Sequence, residues 1–261
     1  MKCLVLVLEF QILHFILGNL VGCLATEEKC SGEICIPLNY EKGDLPKRNE
    51  TNEVGIGISY LRILKIDDYD CIIKSSFWML MSWNEPRLIV KHNTTKEFIK
   101  LDESFHDNLW IPDVVILNVE VIDKIHLFNN KRDFIYLPND NLMVSTVNLV
   151  VETYCSMKFE NYPIDNHTCK ILFRSGVNNA SDISLNLDYL EFKKDFNLLD
   201  YSFDVHTIPT GSEINSFSFT GFEIRLKRNI NKYIVNYYVP SGILVTITWV
   251  NQNVNKLILH S

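Results

Sequence analysis

Cys155 and Cys169 enclose thirteen residues, Ser156-Met157-Lys158-Phe159-Glu160-Asn161-Tyr162-Pro163-Ile164-Asp165-Asn166-His167-Thr168, and the chemistry this offers is mechanical rather than catalytic. Oxidation would join the two sulfurs and close a loop. Two unrelated cysteines of a secreted chain could stand at the same distance, and spacing alone leaves both readings open. Inside the interval, Tyr162-Pro163-Ile164-Asp165 favours a tight turn. Proline drives the residue before it out of the helical region, and its tertiary amide lowers the penalty for a cis bond. In the chain-entropy account, closing about fifteen residues removes roughly 3 kcal/mol of unfolded-state freedom. A turn held in this way passes on a displacement instead of absorbing it.

Other chemistry is hard to find. The seven histidines show no His-x-x-x-His spacing, the cysteines form no Cys-x-x-Cys, and neither a nucleophile elbow nor a phosphate loop occurs. The expectation is therefore no catalytic residue, no metal and no cofactor. A formal charge of −7, from 25 basic and 32 acidic side chains, argues against a nucleic-acid partner. Four Asn-x-Ser/Thr triplets, at Asn49, Asn93, Asn166 and Asn179, are candidate glycosylation sites of a secretory-pathway protein.

The elements that must position these residues begin after a leader. Residues 1–25 open with Met1-Lys2, run through an apolar stretch interrupted by Glu9, Gln11 and His14, and leave through Cys23-Leu24-Ala25, as a signal peptide does. Cleavage after Ala25 would leave Cys30, Cys35, Cys71, Cys155 and Cys169 in an oxidising compartment. Cys30 and Cys35 can pair locally across Ser-Gly-Glu-Ile, with Cys71 free or paired elsewhere. With 47% hydrophobic and 11% aromatic residues among 261, the chain has ample material for a core.

That core reads as all-β. Val54-x-Ile56-x-Ile58 and Leu61-x-Ile63 alternate up to the acidic turn Asp67-Asp68-Tyr69-Asp70, and Phe77-x-Met79-x-Met81-x-Trp83 alternates until Pro86 ends it. Further strands are predicted over 114–121, 142–151, 170–173, 183–187, 201–205 and 217–227. No helix of any length fits between 53 and 235. Residues 37–48 stand outside the pattern and read equally as a short helix or an ordered arm. Without repeats or a low-complexity linker, residues 26–235 read as one domain. From Tyr237 to Val250 the chain is apolar, but fourteen residues fall short of the ~20 that span a bilayer. The expectation is the start of a membrane helix at 236–250, cut short before a divergent tail at 251–261.

Several segments resemble one family in the same order. Trp83-Asn84-Glu85-Pro86-Arg87-Leu88 is similar to a Trp-x-Asp-Pro-Arg-Leu stretch, Leu109-Trp110-Ile111-Pro112-Asp113 with Asn118 downstream to a Trp-x-Pro-Asp stretch, and Arg228 lies twelve residues before Pro240 in Tyr-x-Pro-Ser. With the Cys155 to Cys169 loop, these resemble the pentameric Cys-loop ligand-gated ion channels, over about residues 50 to 250. The match is closest to the glycine-receptor-like branch of chloride channels.

The resemblance implies a disulfide between Cys155 and Cys169 and an extracellular ligand-binding β-sandwich of about ten strands with a short N-terminal helix. It implies a homo- or hetero-pentamer at the plasma membrane, a small amine-type, neurotransmitter-like ligand between neighbouring subunits, and an anion-selective pore. It places the loop at the membrane face, with Tyr162, Pro163, Asp165 and Arg228 coupling ligand to pore. Asp165 reads equally well as simple turn stabilisation.

For the ligand, the resemblance points to Trp78 and Phe217 as aromatic contacts, with Asn178 and Trp110 beside them. Both aromatics read equally as ordinary sandwich side chains. Departures are concentrated here. Arg174-Ser175-Gly176-Val177-Asn178 stands where the family has Glu-Ser-aromatic-x-aromatic. Leu80 and Asn148 replace the arginines that clamp a carboxylate, and Phe219 occupies a position of the second disulfide. A different ligand, a subunit contributing one face, and a degenerate sequence all fit. So does a truncated or secreted pentameric binding protein without channel activity, because four membrane helices are needed for a pore.

Overall fold

Side-chain alternation sets the strands, and one break in it explains the longest. In Asn52–Asp67 the buried hydrophobic side chains are Val54, Ile56 and Ile58, then Leu61 and Ile63, so the inward phase shifts by one. The pairing register slips between Ser59 and Arg62, with Tyr60 at φ 54°, and the extra residue of this bulge turns Leu61 back to the core.

The computed structural model describes residues 29–91, 96–124, 133–192, 200–214 and 216–259, so the leader read at 1–25 and the sequon at Asn93 lie outside the described residues. In chain order the elements are β1 (Lys29–Ser31), β2 (Ile34–Ile36), β3 (Asn52–Asp67), β4 (Ile72–Asn84), β5 (Ile89–Val90), β6 (Ile99–Lys100) and α1 (Glu103–His106). There follow β7 (Val114–Leu117), β8 (Val119–Lys124), β9 (Asp133–Leu137), β10 (Leu142–Tyr154), β11 (Asn166–Ser175), β12 (Ile183–Phe192), β13 (Tyr201–Ile214) and β14 (Phe217–Arg228). The described chain ends in α2 (Asn231–Tyr233), a π turn (Ile234–Tyr238) and α3 (Val239–Leu259).

Two compact units form. The described residues of the first come from Met1–Arg48, Asn84–Ile111 and Asp133–Val144, and those of the second from Asn49–Trp83, Pro112–Arg132 and Ser145–Ser261. In the first, β1 and β2 form a hairpin extended by β5, while β6 pairs with β9. Residues 37–48 are turns, so of the two readings left open for this segment the structure takes the ordered arm rather than a helix. Arg87 holds it: Nη1 donates to the Asp44 carbonyl at 2.9 Å, and the guanidinium lies 4.2 Å from the Tyr40 ring centroid. Between 53 and 235, where no helix of any length is expected, α1 adds a single turn with Phe105 and His106 buried.

The second unit is a sandwich. One sheet runs β12-β3-β4-β10 with β8 on β10, and the other runs β13-β14-β11-β7. Phe77 of β4 meets Phe222 of β14 edge-on at 6.2 Å, and Phe173 of β11 lies 6.3 Å from the same ring. Each such ring removed from water contributes about 1.5–3 kcal/mol. The predicted strand at 114–121 is in fact two. Asn118 takes φ 59°, a conformation asparagine tolerates, and the chain leaves β11, where β7 pairs, for β10, where β8 pairs.

The tail also departs from expectation. Helix α3 runs 21 residues through the supposed divergent tail to Leu259, because Asn251-Gln252-Asn253 is polar but contains no helix breaker. At about 1.5 Å per residue it is roughly 31 Å long, close to the bilayer's hydrocarbon thickness. The stretch Asn231–Asn253, with mean hydropathy 1.2, is long and apolar enough to cross a membrane. Leu244, Val245 and Trp249 all stand exposed.

Candidate functional site

A disulfide joins Cys155, just past the end of β10, to Cys169 within β11, with Cα atoms 4.8 Å apart. Cys30 and Cys35 form a second bond within the β1–β2 hairpin, and Cys71 is free. The Cys155 N–H donates to the Cys71 carbonyl at 2.8 Å, which ties the base of the loop to the β3–β4 turn. At its far end Tyr162-Pro163 is cis, and turn bonds run from Tyr162 N–H to Phe159 and from Ile164 N–H to Asn161.

Arg228, the last residue of β14, is the centre of the arrangement. Its Nε donates to Asp165 Oδ1 at 2.6 Å and its Nη2 to Asp165 Oδ2 at 3.0 Å, a bidentate pair. Its Nη1 donates to Asp68 Oδ2 at 2.7 Å and to the Tyr233 hydroxyl at 3.2 Å. Four rings surround the guanidinium, with centroids at 4.5 Å for Tyr201, 5.0 Å for Tyr162, 5.9 Å for Tyr233 and 6.0 Å for Phe159. The Tyr201 hydroxyl in turn donates to Asp68 Oδ1 at 2.8 Å. One side chain thus binds the disulfide-closed loop, the β3–β4 turn, β13 and the helical segment that follows.

Burial and hydrogen bonding compete inside this cluster. Burial opposes the charge on Arg228, but its bonds to Asp165, Asp68 and Tyr233 outweigh that and raise its pKa above the ordinary arginine value. Burial likewise favours the protonated form of Asp165, yet the bonds from Arg228 and His167 hold its carboxyl below the usual range. Burial and then Asp68 push the Tyr201 phenol up. The Tyr162 phenol is pushed up to about 12, first by its hydrogen bond with Tyr233. His167 is fully buried, and the Lys158 N–H donates to its Nδ1 at 3.4 Å. Nε2 therefore carries the proton and donates to Asp165 Oδ2 at 2.7 Å.

Of the residues expected here, Tyr162, Pro163, Asp165 and Arg228 come together around one guanidinium. Sequence reasoning overlooked Asp68, Tyr201, Tyr233 and His167 as members. Asp68 was visible within an acidic turn, but nothing in the sequence tied it to an arginine 160 residues away.

The expected ligand contacts are spread out. Trp78 points outward from β4, 46% exposed and paired in register with Ser59. Phe217 points outward from β14, on the other sheet of the sandwich, so one chain does not bring the two rings together. Asn178 is half-buried in the turn after β11. Trp110 belongs to the first unit, where its side chain is buried and its N–H donates to the Tyr40 hydroxyl at 2.8 Å. Gly176 stands where the resemblance leads one to expect an aromatic residue, and a Cβ there would overlap the Asp113 carboxylate, so Asp113 fills that space. Arg174 lies with its guanidinium 4.9 Å from the Phe217 ring centroid. Asn49, Asn166 and Asn179 are all exposed.

Comparison with known proteins fits this geometry. The family described as neurotransmitter-gated ion-channel ligand binding domain matches residues 35–235. The chain is similar to the gamma-aminobutyric acid receptor subunit pi of Rattus norvegicus, 23% identical over 205 residues covering 76% of this chain and 46% of the relative. It is similar to pH-sensitive chloride channel 2 of Anopheles gambiae, 23% identical over 235 residues, 81% of this chain and 38% of the relative. Ligand-gated ion channel 50 of Caenorhabditis elegans is 27% identical over 177 residues, 64% of this chain and 35% of that protein. The chain spans less than half the length of these relatives.

Proposed function

Because this chain belongs to the neurotransmitter-gated ion-channel family through its ligand-binding domain, a family of receptors rather than enzymes, we propose that it is the extracellular sensing part of a ligand-gated channel subunit. It sits on the outer face of the plasma membrane in a ring of five like or related subunits. A small amine-type ligand binds between neighbours, with Trp78 on one subunit and Phe217 on the next, and Asn178 and Trp110 in supporting places. The pore it opens is anion-selective, as the name of the Anopheles gambiae relative says of that protein. Asn49, Asn93, Asn166 and Asn179 carry glycans.

The observation that carries the reading is the Arg228 cluster. Its members come from the closed loop, a strand turn, β13 and the segment leading into an exposed apolar helix. A shift of β13 or β14 that left that helix untouched would break the part-buried bond from Arg228 to Tyr233, and such a linked element is what switching requires. Tyr162 and Pro163 supply the stiff tip, and Asp165 the anchor.

The test is expression of the complete subunit to which this sensing part belongs, alone and with related subunits, followed by recording of ligand-evoked current and measurement of the reversal potential while chloride is varied. Reversal should follow chloride. A current that ignores chloride overturns the anion reading. A purified chain that neither assembles into rings by native mass spectrometry nor yields current with any partner overturns the receptor reading.

A further inference from the structure

Among the described residues, the Arg174 guanidinium has no carboxylate partner. Arg87 pairs with Glu85, Arg225 with Glu223, and Arg228 with Asp165, whereas the Arg174 side chain makes no hydrogen bond or ion pair with a described residue. Its guanidinium carbon lies 4.9 Å from the centroid of the Phe217 ring. Its Nε is buried with no acceptor, although the residue as a whole is only half-buried. Asp113 lies close by, but its carboxylate is packed against Gly176 and forms no ion pair with Arg174.

The position matters because Phe217 is the aromatic proposed to meet the ligand. The electron-rich face of a ring attracts one cation at a time, and here the protein's own guanidinium already occupies it. An ammonium arriving at this ring would have to displace a cation and then sit beside it. A carboxylate meets the opposite situation: a planar donor fork with unused N–H groups, held in place by stacking.

We propose that the face formed by Arg174 and Phe217 binds its ligand through an acidic group, a carboxylate or its equivalent, received by the Arg174 guanidinium. The inference rests on the receptor reading and deepens it. An amine-type ligand then lies with its acidic end here, and its ammonium is left for the exposed Trp78 of the neighbouring subunit. A zwitterion of this kind satisfies both sides.

Benzoate and benzylammonium, alike in shape and opposite in charge, separate the possibilities. Calorimetric titration of each into the purified full chain in detergent should show wild type preferring benzoate, with affinity falling as salt is raised. Arg174→Gln should weaken benzoate about tenfold or more. Arg174→Glu should reverse the preference, and Arg174→Lys should keep part of it. Unchanged thermal unfolding in the variants shows that the loss is local. Benzylammonium preferred by wild type, benzoate binding indifferent to Arg174→Gln, or binding of neither probe overturns the proposal. Ring assembly, measured separately by native mass spectrometry, reports on the receptor reading whichever way the probes fall.

Discussion

Arg228 Nε lies 2.6 Å from Asp165 Oδ1, and the two side chains, sixty-three residues apart in sequence, are each only 2% exposed. A pair so deeply buried gains little net stability from its attraction, but removing Asp165 leaves the buried guanidinium with only the part-exposed Asp68 and the Tyr233 hydroxyl as partners. That typically costs about 3–5 kcal/mol. Asp165→Ala should therefore lower the thermal unfolding midpoint strongly. The double variant Asp165→Ala, Arg228→Met should recover a large part of the loss, and additive losses in the double variant would show that the two residues do not act as a pair.

The same carboxylate gives the fold an acid limit. Asp165 has its pKa held below the usual range in the folded chain, so its contribution to stability is complete above the ordinary carboxylate value of about 3.9 and is lost as pH falls through the lower, folded value. Unfolding midpoints should drop as acid is added below about pH 4. In Asp165→Asn the contribution of this group should vanish, leaving a shallower slope. Parallel curves for the two proteins would assign the acid sensitivity to other groups.

The disulfide at the loop's base should matter as much as the ion pair. Cys155→Ser with Cys169→Ser leaves the Tyr162-Pro163 turn intact but frees its ends, and losing a native disulfide of this kind typically costs about 2–5 kcal/mol. Limited proteolysis should cut the variant within residues 156–168 before it cuts elsewhere. Protection equal to wild type would mean that the Arg228 cluster holds the loop unaided.

How much of this was legible follows from how local each feature is. The closed loop lies within fifteen consecutive residues, and its turn chemistry is written in adjacent side chains, so sequence reasoning reached Tyr162, Pro163 and Asp165. The phase shift in β3 was legible too, since Ile58 to Leu61 breaks a spacing of two. Asp68, Tyr201 and Tyr233 were not, because strand order brings them to Arg228 and no local pattern encodes that order. The break at Asn118 was hidden because one polar residue in an apolar run looks like ordinary alternation until its φ of 59° is seen. Composition misled at 251–259, where asparagines looked like an ending although they propagate a helix well enough.

That last correction has a direct consequence for the membrane. Val239–Leu259 is a 21-residue helix whose Leu244, Val245 and Ile247 stand exposed, an arrangement that water penalises and a lipid interior does not. In cells the wild-type chain should stay with the membrane pellet after alkaline carbonate extraction. A charge near the middle of a spanning helix costs about 2.5–3.5 kcal/mol on insertion scales, so Leu244→Lys with Ile247→Lys should move a substantial fraction to the supernatant. The sandwich should keep its unfolding midpoint, because neither side chain packs against it. Wild type found in the supernatant would show that the helix does not insert, and the Arg228 cluster would then have no membrane element to move.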